Sequence, residues 1–204
     1  MITLINISTG YSRDKPLLKK FNYEFQNKIY GILGESGCGK TTFLRTVAGL
    51  MKPIEGSIKV DGKELQKASK NDIYMMHQNY TCFDWMNCSE NILIAKRIKR
   101  KINDSDYAKA ENMLKKVGLL EHKNKFPQQL SGGQRQRLSL ARTLFIEPQI
   151  VLMDEPLSAL DEKTRSDMQQ LIIEMHKRTN NTIIMVTHSK EEAEKMCDLI
   201  INFK

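Results

Sequence analysis

Apolar residues along this chain arrive first in strand-length blocks, then at helical spacing, then in blocks again. The stretch from Leu4 to Leu33 reads as β-rich, with Tyr11 to Pro16 as a turn between strands. Its last run, Ile29-Tyr30-Gly31-Ile32-Leu33, predicts a buried strand, and Thr42 to Ala48 a helix after it. Residues 54–62 read as a turn, a strand and another turn. From Glu90 to Gly118 the sequence turns charged and helix-forming, with Ala110, Met113, Leu114 and Val117 at helical spacing. A further helix runs from Gly133 to about Phe145. Alternation then resumes with a strand at Ile150–Met153, a helix from Asp161 to about Arg178 and a strand at Thr182–Val186. A helix at Lys190–Met196 and a strand at Leu199–Phe203 close the chain. Strands alternating with helices predict an α/β fold with a parallel sheet and its site at the strand ends. Residues 86–144 read as an inserted helical lobe, and no internal repeat or low-complexity segment interrupts the pattern.

Between the strand ending at Leu33 and the helix beginning at Thr42 stands Gly34-Glu35-Ser36-Gly37-Cys38-Gly39-Lys40-Thr41. A glycine loop in that strand-to-helix setting frees backbone N–H groups at the positive end of a helix, a cradle for phosphates. Lys40 reaches the β- and γ-phosphates in such a loop, and the Thr41 hydroxyl coordinates Mg²⁺. The pattern predicts binding of ATP or GTP.

Four apolar residues, Ile150 to Met153, lead into Asp154-Glu155 and place two carboxylates at the end of a buried strand. Asp154 there holds Mg²⁺, through water, and Glu155 acts as general base or orients the attacking water. His188 and Gln78 each follow an apolar strand. The first is placed for the γ-phosphate or the attacking water, the second for Mg²⁺ or water. A second glycine motif, Leu130-Ser131-Gly132-Gly133-Gln134, opens a helix and offers N–H donors and a hydroxyl without a side-chain charge. One nucleotide does not need two cradles in one chain. A two-fold dimer resolves this, each chain's second cradle covering the other chain's nucleotide.

Composition narrows the setting. At 204 residues, 40% hydrophobic and 27% charged, the chain fits one globular domain with room for an inserted lobe. No run approaches the roughly 18 apolar residues of a membrane span, and Met1 to Leu4 show no signal-peptide pattern. Cys38, Cys82, Cys88 and Cys197 form no CxxC pair and suit reduced thiols. Cys38 lies inside the phosphate loop, where a bulky thiol reagent blocks nucleotide binding. Much of the net charge of +8 gathers at Lys96 to Lys101. A solvated helix face is the reading preferred over a binding patch, because no aromatics interleave to stack on bases. Anionic head groups near a docked membrane protein are the other use for it.

Taken together, these motifs resemble the ATP-binding subunit of an ABC transporter over essentially the whole chain. The resemblance implies a phosphate-loop NTPase with a RecA-like parallel-sheet core, an N-terminal antiparallel β subdomain and an inserted α-helical subdomain. It makes 1–204 a single ATPase domain, with 1–85 and 145–204 as β subdomain plus core and 86–144 as the helical subdomain. Gly34 to Thr42 corresponds to the Walker A loop, so that Gly34, Glu35, Ser36, Gly37, Cys38, Gly39, Lys40, Thr41 and Thr42 line the nucleotide. Ile150 to Glu155 corresponds to Walker B, Gln78 to the Q-loop, Ser158 to Asp161 to the D-loop and His188 to the switch histidine. Ser131, Gly132, Gly133 and Gln134 match the family signature, acting in trans, and Tyr11 stands where an aromatic ring meets adenine. The stretch Phe83 to Ile92 is similar to that of nitrate, sulfonate and taurine importers, with Phe83, Trp85 and Met86 as a groove for a membrane subunit; a core position for Trp85 is the alternative. Asp84, Asn87 and Ser189 depart from the family pattern. The end at Lys204 implies no appended regulatory domain.

The resemblance therefore implies a transport-coupled ATPase using ATP and Mg²⁺, at the cytoplasmic face of the membrane. Its partners are a permease, a second ATPase chain and a substrate-binding protein, with no nucleic acid. Import is the first reading. Export or membrane extraction, and a soluble ABC-type ATPase acting on nucleic acid or ribosomes, are the rivals.

Overall fold

The computed structural model describes residues 1–65, 73–78, 82–99 and 101–203. Arg100, within the basic run, and Lys204 lie outside the described residues. The chain divides into two compact units, one of Met1–Met75, Pro148–Glu155 and His176–Lys204, the other of Met76–Glu147 and Pro156–Met175.

The first unit carries an antiparallel sheet of order β2-β1-β4-β5, built from β1 (Ile2–Thr9), β2 (Leu18–Phe25), β4 (Glu55–Val60) and β5 (Lys63–Glu64). The two-residue β5 carried no legible pattern in the sequence. A second sheet has the order β6 (Ile73–Met76), β7 (Ile150–Asp154), β8 (Thr182–Val186), β3 (Ile29–Gly34) and β9 (Leu199–Phe203). Its β7–β8, β8–β3 and β3–β9 pairs are all parallel, as the strand-helix alternation predicts. Every residue of β7 and β8 is buried, which explains their unbroken apolar runs. The fold is the α/β class expected from the pattern.

One core joins the two sheets to helix α1 (Lys40–Val47), through Ile2, Ile7, Phe25, Ile32, Phe43, Leu44 and Leu152 among others. Phe43 meets Phe203 at 5.1 Å and Phe21 at 5.7 Å between ring centroids, both edge-on. These rings pin the buried side of α1, and its first turn is thereby held at the end of β3.

The second unit holds α2 (Cys88–Lys99), α3 (Asp104–Lys116), α4 (Gly132–Phe145) and most of α5 (Glu162–Thr179). The helical stretch expected over Glu90–Gly118 is broken where Asn103 caps α3. The Asn103 side chain accepts the Asp106 N–H, and the Asp106 side chain accepts the Asn103 N–H, a reciprocal box. Gly118, at φ +64°, ends α3 in the left-handed conformation that suits glycine. Ala110, Met113, Leu114 and Val117 are all buried, as their spacing predicts. Lys96, first of the basic run, is not a solvated charge. Its ammonium lies 3.5 Å from the buried Asp106 and 4.5 Å above the Phe145 ring. Arg97 and Ile98 are exposed. Among the described residues no helix is long and apolar enough to cross a membrane.

Candidate active site

The loop from β3 to α1 is closed tightly at one end. A Cβ added to Gly34 would lie 2.7 Å from the Phe203 carbonyl oxygen and 2.8 Å from Cys38 Sγ, so only glycine fits. Gly39, at φ +98°, is the residue before the helix, and a Cβ there would meet Leu17 at 2.8 Å. Lys40 is 6% exposed and donates to the carbonyls of Gly34 at 2.8 Å and Glu35 at 2.7 Å. Its ammonium is thus held inside the loop, and the first turn of α1 has no acidic side chain to compete for it. Such a cradle fits a polyphosphate.

Thr41 Oγ1 donates to Asp154 Oδ1 at 3.2 Å, so the helix start and the end of β7 meet. A hydroxyl beside a buried carboxylate is a hard-oxygen pair of the type Mg²⁺ takes along with substrate oxygens and water. Immediately after Asp154 the backbone turns: Glu155 has φ +51° and donates its N–H to Val186 O at 3.0 Å. A non-glycine residue in that region costs about 1–2 kcal/mol and is kept where its surroundings over-determine it. The turn lifts the Glu155 carboxylate out of the sheet and against the Nε2 of His188.

His188 is itself held by its neighbours. Thr187 Oγ1 donates to the Glu192 carboxylate, and the Ser189 N–H donates to Thr187 Oγ1 at 3.1 Å. Ser189 Oγ accepts the Glu192 N–H at 3.1 Å, capping α6 (Lys190–Met196). The sequence marks Ser189 only as a departure from the family pattern, although its place three residues before Glu192 is a legible cap signal; Thr187 and Glu192 carry no such mark.

Tyr11 lies beyond β1 rather than within a strand. It is 76% exposed, and its Oη receives the Thr42 hydroxyl at 3.5 Å. The first unit therefore brings together Tyr11, the loop from Gly34 to Thr42, Asp154, Glu155 and His188.

The remaining candidates belong to the second unit. Ser131 caps α4: its Oγ accepts the Gln134 N–H at 3.3 Å, while Gln134 Oε1 accepts the Ser131 N–H at 2.9 Å. A Cβ on Gly133 would lie 3.1 Å from Ala159 O, whereas one on Gly132 would meet nothing within 4 Å among the described residues. Ala159 in turn donates its N–H to the fully buried Gln136 at 2.9 Å. Arg165 donates to the carbonyls of Leu160 at 2.5 Å and Leu157 at 3.5 Å. Asp161 accepts the Thr164 N–H at 3.0 Å, and hydrogen bonds from Thr164 hold its carboxyl below the ordinary range. Gln136 and Arg165 thus frame residues 157–161, a role their sequence context did not reveal. Gln78 lies two residues beyond β6 and is exposed.

Trp85 is 72% exposed, so the core alternative for it is overturned. Its ring centroid stands 5.4 Å from that of Phe83, whose other neighbour is the Arg142 guanidinium at 5.0 Å. Asn91, fully buried, fixes this loop. Its oxygen accepts the Phe83 N–H at 2.8 Å, and its amide donates to the carbonyls of Phe83, Met86 and Asn87 at 3.1, 2.8 and 3.0 Å. Asn87 exchanges hydrogen bonds of 2.9 Å with Glu90 at the start of α2, which accounts for its departure from an apolar or small residue.

A family model described as ABC transporter matches residues 18–158. Among solved structures, a dimeric post-hydrolysis state of the ATP-binding cassette MJ0796, bound to ADP and phosphate, matches with TM-score 0.89 and 29% identity. That match covers 100% of this chain and 94% of the other. A second dimeric structure of MJ0796, described as a bacterial ABC transporter cassette, gives TM-score 0.87 at 29% identity over the same shares, 100% and 94%. With its phosphate loop, its paired strand-end carboxylates and its glycine-opened helix on this fold, the chain belongs to the ABC transporter family.

Proposed function

We propose that this chain is the ATP-hydrolysing subunit of a membrane transporter, working as a dimer that ATP closes and hydrolysis reopens. The observation that carries the reading is the contact of Glu155 with His188, in the unit where Thr41 meets Asp154. In water attack on ATP, the Glu155 carboxylate takes a proton as the water oxygen bonds to the γ-phosphorus and the bond to the β–γ bridging oxygen breaks. ADP and phosphate leave. His188 orients the carboxylate or the γ-phosphate, and Lys40 and the loop N–H groups bind the phosphates. Thr41 and Asp154 are the groups that would hold Mg²⁺, which would neutralise charge on the phosphate oxygens, and Gln78 is assigned to Mg²⁺ or the attacking water. Tyr11, open beside α1, offers its ring to adenine.

Ser131 to Gln134 serve the nucleotide of a second chain. Gly132 supports this, because packing among the described residues leaves room for a side chain there. Dimers of MJ0796 are the solved precedent, one holding ADP and phosphate. Asp161 and the rest of the turn at 158–161 belong to the same face. Residues 1–85 and 145–204 are assigned to the core and β subdomain, and 86–144 to the helical subdomain. Half-buried Phe83 and exposed Trp85, with Met86, are the docking point for a permease at the cytoplasmic face, with import of a nitrate-, sulfonate- or taurine-type solute by way of a binding protein as the first assignment.

Phosphate release by the purified chain with ATP and Mg²⁺ tests the chemistry. Turnover should fall by about 10²-fold or more in Glu155→Gln; an undiminished rate there sinks the base assignment. Co-purification of the tagged chain with a polytopic membrane protein from gently solubilised cells tests the transporter. Ribosomal or DNA-bound partners instead would leave the ATPase standing and overturn its coupling.

A further inference from the structure

We propose that His122 is a positioning residue for the signature segment, acting through Gln134. Gln134 Nε2 stands 3.1 Å from His122 Nε2, and Gln134 Oε1 accepts the Ser131 N–H at 2.9 Å. With its oxygen committed to a donor, the carboxamide has one orientation, and only its NH₂ group faces the ring. An amide NH₂ donates and cannot accept. His122 Nε2 therefore presents its lone pair, and the ring proton sits on Nδ1.

This contact matters because a glutamine side chain has two amide orientations, related by a half turn of its end group. Flipped, Gln134 would aim its NH₂ at the Ser131 N–H, donor against donor, and the reciprocal cap would be lost. The Ser131 N–H fixes the orientation, and His122 Nε2 supports it by accepting from the NH₂ that the cap leaves facing the ring. The His122 backbone is anchored independently of Gln134: its N–H donates to Leu119 O at 2.9 Å, and its carbonyl accepts the Lys125 N–H at 2.9 Å. Leu119 is fully buried. Ser131 is held in turn at φ −65° and ψ 164°, with its hydroxyl oxygen accepting from Gln134 at 3.3 Å. The exposed hydroxyl keeps its own proton to donate to an acceptor. On the reading that Ser131 faces a partner's nucleotide, that acceptor is a phosphate oxygen, and His122 sets the geometry of the contact from a distance.

The test separates acceptor from donor at position 122 in the full chain. His122→Lys supplies only donors, whereas His122→Gln restores an acceptor oxygen. With Mg²⁺ and ATP, His122→Lys should lower turnover by about tenfold while the monomer's affinity for a fluorescent ATP analogue stays unchanged. His122→Gln should return to within about threefold of wild type. In the wild-type chain, NMR should show through-hydrogen-bond coupling between Gln134 Nε2 and His122 Nε2. That measurement decides the matter if His122→Lys does not fold. Wild-type turnover in His122→Lys, equal loss in both variants, or a proton on His122 Nε2 overturns the assignment. Ser131→Arg separates the two levels. Full turnover in Ser131→Arg contradicts the trans role of the signature itself, while loss there with full turnover in His122→Lys removes His122 alone.

Discussion

Gln136 Oε1 accepts the Ala159 N–H at 2.9 Å, from a side chain with no exposure to solvent. The signature helix and the turn at 158–161 are thereby one hydrogen-bonded piece, and Gly133 lets them touch, since a Cβ there would come within 3.1 Å of Ala159 O. Replacing Gln136 with Leu removes the partner of the part-buried Ala159 N–H, a loss of about 0.5–1.5 kcal/mol. A lower melting temperature, with slowed phosphate release and intact ATP binding by the monomer, is the expected outcome. An unchanged melt would mean that Ala159 finds another partner.

The two signature glycines should behave differently. Gly133→Ala presses on a backbone oxygen and should lower the melting temperature, whereas Gly132→Ala meets nothing within 4 Å among the described residues and should leave it unchanged. Slow turnover in a Gly132→Ala protein of normal stability would report a body outside the chain that needs the space.

Lys40 is almost fully enclosed by the loop carbonyls it serves, so its replacement should act on nucleotide binding rather than on folding alone. Lys40→Ala should weaken ATP affinity by about tenfold or more, the scale of a charge-assisted contact of about 1.5–3 kcal/mol. Titration with a fluorescent ATP analogue reads this directly, and wild-type affinity would refute the cradle role.

The thiols divide by environment. Burial pushes Cys197 from 9.0 up to about 12, with Glu192 and Asp198 adding to the shift, and pushes Cys88 up to about 11. Burial raises Cys82 as well. Thiolate is the reactive form, so at pH 8 these three should label slowly with iodoacetamide, leaving Cys38 in the phosphate loop as the first site modified. Mg²⁺ and ATP should protect Cys38, and labelling it should block nucleotide binding; equal labelling of all four contradicts this. The raised Cys197 value also stabilises the fold fully below pH 9.0, and that contribution is lost as pH rises through about 12.

The pieces nearest the chemistry were legible because each is local. Gly34 to Thr41 and Ile150 to Glu155 declare their structure through glycine placement and apolar runs, and the parallel sheet follows from strand-helix alternation. What escaped was long in sequence and made by single side chains. Gln136 reaches Ala159 across 23 positions, and Asn91 gathers the Phe83–Asn87 loop through four hydrogen bonds that no periodicity encodes. Trp85 shows the other limit: a tryptophan's chemistry argues for burial, and only the Asn91 clamp explains a loop that presents it to solvent instead. The positive φ of Glu155 was likewise invisible, because nothing in an Asp-Glu pair specifies the left-handed conformation.

Light scattering of Glu155→Gln with and without ATP and Mg²⁺ tests the central claim most directly. The variant removes the proposed base while keeping the loop, Asp154 and the signature, so bound ATP should persist and hold two chains together. A monomer that becomes a dimer only with ATP, and fails to do so when Ser131→Arg is added, is the predicted result. A monomer that binds ATP yet never dimerises would contradict the shared-site mechanism.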